Sequence, residues 1–190
     1  NLDRAGEYQQ AYPLLHKAVM LRGSELVFKD ELAINDAYIA QKKQTISVAE
    51  SLIQEAINTS NEIISISPNN AVFWKTRTRV FHTLSQIDSR YLPRALDAIE
   101  KASILAPNDA NIWYNLGVIY GQNNNIEKGI AALEKTVNLK PDYRDARYGL
   151  GLFYHTALMN EKAIAQMQYI LDRIDPQDTG ALESIKSWKQ

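Results

Sequence analysis

Five pairs of residues in this chain stand 34 positions apart: Pro107 and Pro141, Leu116 and Leu150, Gly117 and Gly151, Tyr120 and Tyr154, Gly129 and Ala163. Recurrence at one such spacing marks a supersecondary unit that cannot bury its apolar face alone and must stack on its neighbours. Within the unit Trp113, Leu116 and Tyr120 recur at i, i+3 and i+7, so they share one helical face. Gly117 lies on that helix and removes a side chain where a second backbone must come close. A small residue returns twelve positions later at Gly129, on a second helix. Two small residues facing each other let helices approach more closely than the usual 8–10 Å. Mid-helix glycine costs about 1 kcal/mol relative to alanine, so its use here implies a packing gain.

The twelve-residue step from small residue to closing turn runs along the chain: Ala11 to Gly23, Ala56 to Pro68, Ala95 to Pro107, Gly129 to Pro141, and Ala163 to Asp175 beside Pro176. That predicts five second helices. First helices are expected at Trp74–Phe81, Trp113–Tyr120 and Arg147–Tyr154, with a weaker pattern at Phe28–Tyr38. The repeats are then about 1–23, 24–68, 69–107, 108–141 and 142–176. The spacing between small residues is 12 for Gly117 to Gly129 and for Gly151 to Ala163, but 17 for Thr78 to Ala95 and 23 for Ala33 to Ala56. The extra residues fall near Ser85–Tyr91 and Ile39–Ser51, where longer helices or an extended turn are expected. Beyond Pro176, Thr179 or Asp178 can cap a last helix at 178–189, with Leu182, Ile185 and Trp188 turned toward the fifth repeat.

The string W-x2-L-G-x2-Y at Trp113, Leu116, Gly117 and Tyr120, closed by Pro141, resembles the tetratricopeptide repeat family. The resemblance implies an all-α fold: a right-handed α-solenoid of about five helix-turn-helix repeats with a C-terminal capping helix, one domain over 1–190. It also implies that the first helices line a concave groove. The groove floor would then hold Lys75, Arg79 and His82, then Tyr114, Asn115 and Val118, then Asp145, Tyr148, Leu152 and His155. Aromatic, Arg and Asn side chains repeat on that face, as they do at binding surfaces. Members of the family that grip a C-terminal carboxylate use a clamp of Lys, Asn and basic residues. Lys75 and Asn115 match two of its places, Arg79 replaces an Asn, and Asp145 and Gly149 stand where the basic pair belongs.

Composition excludes several chemistries. There is no cysteine, so disulfides and thiolate sites are out, and a net charge of −1 gives no general attraction to nucleic acid. No apolar run reaches the ~18–20 residues that cross a bilayer. His82 and His155 occupy equivalent places two repeats apart, too distant to share a metal, so neither metal nor cofactor is expected; His16 reads as a boundary residue. Gly149-Leu150-Gly151 lacks the third glycine and preceding strand of a dinucleotide loop and reads as helix packing. Asp30 and Glu31 read as a solvated face with ordinary carboxylates, and the Asn58-Thr59-Ser60 glycosylation pattern falls inside a helix.

With no catalytic constellation in view, the expected function is a non-catalytic scaffold that binds a peptide or protein segment in the groove. Charge is segregated along the chain. Residues 68–107 carry six cations (Lys75, Arg77, Arg79, Arg90, Arg94, Lys101) against three acids (Asp88, Asp97, Glu100). Residues 24–67 carry three lysines (Lys29, Lys42, Lys43) against seven acids, among them Asp30 and Asp36. Lys75 and Arg79 would thus favour a partner with acidic residues, and self-association is a second expected contact. More diffusely, the opening from Ala11 to Val19, the long insertion and the run from Ser67 to Pro141 resemble soluble C-terminal regions of bacterial O-antigen ligase or polymerase-like membrane proteins. That resemblance implies an accessory domain attached to a membrane rather than a cytoplasmic protein. The chain starts at Asn1 already in a helical pattern and reads as a piece of a longer protein.

Overall fold

In the computed structural model, residues 7–42 and 46–189 are described. They form ten α-helices and one short 3-10 turn, with no strand among the described residues. The helices are α1 (Tyr8–Leu21), α2 (Leu26–Lys42), α3 (Ile46–Ile66), α4 (Ala71–Ser85), α5 (Leu92–Leu105), α6 (Ala110–Gln122), α7 (Ile126–Leu139), α8 (Arg144–Thr156), α9 (Asn160–Arg173) and α10 (Thr179–Trp188). The predicted pairs are present: α2 packs on α3, α4 on α5, α6 on α7 and α8 on α9, while α1 is the second helix of the first repeat. The chain separates into two compact units, Asn1–Leu105 and Ala106–Gln190. The part of the first repeat over residues 1–6 lies outside the described residues.

The small residues sit where the helices come closest. Ala11, Ala56, Ala95 and Ala163 are all buried. A Cβ on Gly117 would stand 3.3 Å from the Gly129 carbonyl oxygen, and one on Gly129 3.3 Å from that of Gly117. Gly151 repeats the arrangement at 3.3 Å from the Ala163 carbonyl oxygen, so Gly149-Leu150-Gly151 is a packing feature. Helix starts are capped by short polar side chains: Asn70 accepts from the Val72 amide, Asp109 from Asn111, Asn125 from Lys128 and Asp178 from Ala181.

The two insertions take different forms. The longer one extends both helices of its pair, to 17 residues in α2 and 21 in α3, with residues 43–45 outside the described set. The shorter one becomes a turn in which Asp88 caps the 3-10 segment Ser89–Tyr91 before α5. Helix α10 departs from expectation in one respect: Leu182 is 48% exposed. Ala181, Ile185 and Trp188, at i, i+4 and i+7, face Met167 and Ile170 instead.

Candidate functional site

Within the unit of residues 1–105, Lys75, Arg79 and His82 sit at successive turns of α4. Arg79 is exposed, Lys75 and His82 are half-buried. Their neighbour on α2 is not what the sequence suggests. Asp30 is buried at 7% exposure, accepts a hydrogen bond from Thr76 and feels the charge of Arg79. Burial pushes its carboxyl up to about 7, with Thr76 opposing that shift. The solvated Asp30–Glu31 face is thereby corrected. Helix α2 packs against α1, α3 and α4 at once, which buries Asp30 and leaves Glu31 half-buried.

The charge contrast weakens for the same reason. Asp30 and Asp36 are both buried, and burial raises both carboxyls, to about 7 and about 8. On the basic side, Arg77 donates to the Ser60 hydroxyl at 2.9 Å and lies over the Trp74 and Phe81 rings. Arg94 also lies over Phe81, 4.2 Å from the ring centroid. Arg90 is held by Asp88 at 2.6 Å. Arg77, Arg90 and Arg94, half of the cations along 68–107, are thus engaged within the protein.

Within the unit of residues 106–190, α6 and α8 carry Tyr114, Asn115, Val118, Tyr148, Leu152 and His155. Tyr114 meets Tyr143 with ring centroids 4.9 Å apart. Burial raises the hydroxyl pKa of Tyr114, and the nearby charge of Asp145 adds to the rise while Arg144 opposes it. Arg144 lies 4.6 Å over the Tyr148 ring, and its Nε donates to Asp178 at 2.8 Å. This pair raises the Arg144 pKa and lowers that of Asp178. At the other end of α8, His155 stacks on Trp188 at 4.6 Å and its Nδ1 stands 2.9 Å from Asn160 Oδ1. Asn115 and Asp145 are exposed, Val118 is half-buried and Leu152 is 40% exposed. The structure therefore joins the α6 and α8 residues into one face and extends it onto α10, while three of them, Tyr114, Tyr148 and His155, are already in ring contact with neighbours.

Tyr143, Arg144, Asp178 and Trp188 belong to this face; the sequence pattern places Asp178 and Trp188 only in the capping helix and does not single out Tyr143 or Arg144. A signal was there: Trp113, Arg147 and Ala181 are spaced by 34, so α10 continues the repeat frame as a further first helix. The frame also shows in a backbone contact. Trp74 Nε1 donates to the Pro68 carbonyl at 2.7 Å, Trp113 Nε1 to Pro107 at 2.8 Å and Arg147 Nε to Pro141 at 2.6 Å.

These features define a protein of tetratricopeptide-repeat fold, and the chain carries a tetratricopeptide repeat: the family's sequence model matches residues 110–143, which span α6, α7 and the closing turn. Solved structures share the fold. A MamA fragment from Desulfovibrio magneticus RS-1 is 21% identical with a TM-score of 0.71, covering 94% of this chain and 92% of its own. TTC0263, a thermophilic protein of these repeats in Thermus thermophilus, is 19% identical with a TM-score of 0.67, covering 99% and 93%. YrrB, described as having an unusual peptide-binding site, is 18% identical with a TM-score of 0.67, covering 97% and 87%. No curated protein matches the chain.

Proposed function

We propose that the chain is a non-catalytic scaffold that binds a peptide or protein segment on the first-helix face of its repeats. The observation that carries this reading is the α6–α8–α10 face. It holds the Tyr114–Tyr143 pair, Tyr148, Leu152 and the His155–Trp188 stack, with Leu152 of α8 at 40% and Leu182 of α10 at 48% exposure. Rigid aromatic rings around exposed aliphatic side chains give a partner apolar anchoring at low entropic cost, with Asn115 and Asp145 as polar rim. Interaction is the general role of the fold, and YrrB provides a relative in fold with a peptide site. On α4, exposed Arg79 adds a preference for acidic residues, weakened by salt.

The test is selection of binders from a random peptide library on the immobilised protein, followed by titration against Leu152→Asp. A charge on the apolar floor should lower affinity about tenfold or more. Equal affinity for Leu152→Asp and the parent, with loss on substituting exposed Lys135 of α7 instead, would place binding elsewhere.

A further inference from the structure

The α1–α2–α3 junction contains a carboxyl for which the binding face has no use. Asp36 of α2 is 0% exposed, and among the described residues neither of its carboxylate oxygens has a hydrogen-bond partner. The groups facing it come from two other helices. Helix α3 presents Glu55 and helix α1 presents Tyr12, whose ring lies 4.3 Å from that of His16. His16 Nε2 stands 3.8 Å from Glu55, so a protonated His16 is directed at Glu55. Helix α4 also packs on α2, but it directs Thr76 and Arg79 to Asp30. Among the described residues Asp36 thus lies against one carboxylate and a phenol, with no cation paired to it. A carboxylate taken from water without a partner is strongly disfavoured, and the group stays neutral instead.

Helix α1 is the element least able to resist a charge at that junction. Its one fully buried residue is Ala11. Pro13 inside the helix removes an amide donor, and Leu14, Met20 and Leu21 on its outer side are 59%, 86% and 74% exposed. Its hold is the Tyr8–Tyr38 stack at 4.2 Å, a bond from Asn35 Nδ2 to the Tyr8 carbonyl at 3.1 Å, and Tyr8 and Tyr12 against Ile39, Ala40 and Leu52. Segments with few buried contacts open first.

We propose that docking of α1 is proton-linked, with the uncharged Asp36 carboxyl as the latch: when Asp36 gives its proton to water, α1 leaves α2 and α3 and the carboxylate regains solvent. Burial, and then the charge of Glu55, raise Asp36 to about 8 in the docked state, against 3.8 for the ordinary carboxyl. The docked state therefore holds a proton that the released state lacks between those values. Docking is strongest in acid and is lost as pH rises through about 8. Release uncovers Ile39, Ala40 and Leu52, so the device couples pH to an apolar surface.

The experiment is amide hydrogen exchange of the whole chain, read over residues 8–21 at pH 6 and pH 9 and corrected for intrinsic rates. Protection of α1 should fall about tenfold or more at the higher pH, while that of α7 stays level. Asp36→Asn, neutral at both pH values, should remove the difference. Glu55→Gln withdraws the facing charge, which lowers the docked-state pKa of Asp36 and narrows its gap from the released carboxyl.

 With that like charge gone, the docked state tolerates an ionised Asp36 better, so the drop in protection between pH 6 and pH 9 should shrink. This variant keeps the idea testable if Asp36→Asn does not fold. His16→Gln should leave the release in place. Undiminished α1 protection at pH 9, or a loss that survives Asp36→Asn but vanishes in His16→Gln, would overturn the proposal.

Discussion

Arg147 shows how one position can keep its structural task while changing its chemistry. Where Trp74 and Trp113 donate an indole N–H to a proline carbonyl six residues back, Arg147 donates Nε to Pro141, sends Nη1 to Gln166 at 2.7 Å and lies 3.3 Å over the Tyr169 ring. Arg147→Ala strands that carbonyl and opens a gap, and should cost about 2–3 kcal/mol in denaturant unfolding. Arg147→Trp restores the donor used elsewhere and should cost less than the alanine; the reverse order would refute the equivalence. Leu158 is a second such residue. It has φ 60° in the turn between α8 and α9, where Asn124 has φ 58° in the turn between α6 and α7, and its side chain is 85% exposed. Left-handed backbone suits asparagine far better than leucine. Leu158→Asn should therefore raise unfolding stability by about 0.5–1 kcal/mol, and a loss of stability would mean that the exposed side chain has a packing role.

Helix pairs rest on the small residues, and here the sequence was a faithful guide. The facing of Gly117 with Gly129 and of Gly151 with Ala163 follows from the 34-residue period alone. What the period could not show is which bulky side chain fills the space left by each glycine. Phe153 does so between α6 and α7: a Cβ on Gly129 would stand 2.5 Å from its Cε2, and one on Gly121 2.3 Å from its Cζ. Gly129→Ala removes a poor helix former yet forces Phe153 aside, so melting should show a net loss of about 1–3 kcal/mol. A gain would mean that Phe153 moves freely. The insertions were located correctly, but whether a surplus lengthens helices or forms a turn is decided by tertiary packing. In α2 the apolar period fades because Leu32 to Ala37 are all buried, which is why its pattern is weak, why Asp30 reads as a surface residue and why Asp36 counts as a full charge. A carboxyl's burial depends on three neighbouring helices, and no local spacing records that.

At the scale of the whole molecule, the fold was legible because every repeat restates one rule, whereas the binding face was legible only in part. Tyr114, Val118, Tyr148, Leu152 and His155 followed from helical spacing. Tyr143 sits outside the first-helix pattern, while Trp188 continues the Tyr120–Tyr154 spacing on α10, and Arg144 and Asp178 meet because α10 continues the 34-residue frame beyond the last obvious repeat. Charge was the least legible property, since formal counting gives Asp30 and Asp36 a charge that burial opposes. The most direct test of the proposed scaffold role is a chemical-shift map of the isotopically labelled chain titrated with a library-selected peptide. The account predicts shifts concentrated at Tyr114, Asn115, Val118, Tyr148, Leu152 and His155, with α7 and α9 unaffected on their exposed sides. Shifts confined to the exposed sides of α7 and α9, with Tyr148 and Leu152 silent, would contradict it.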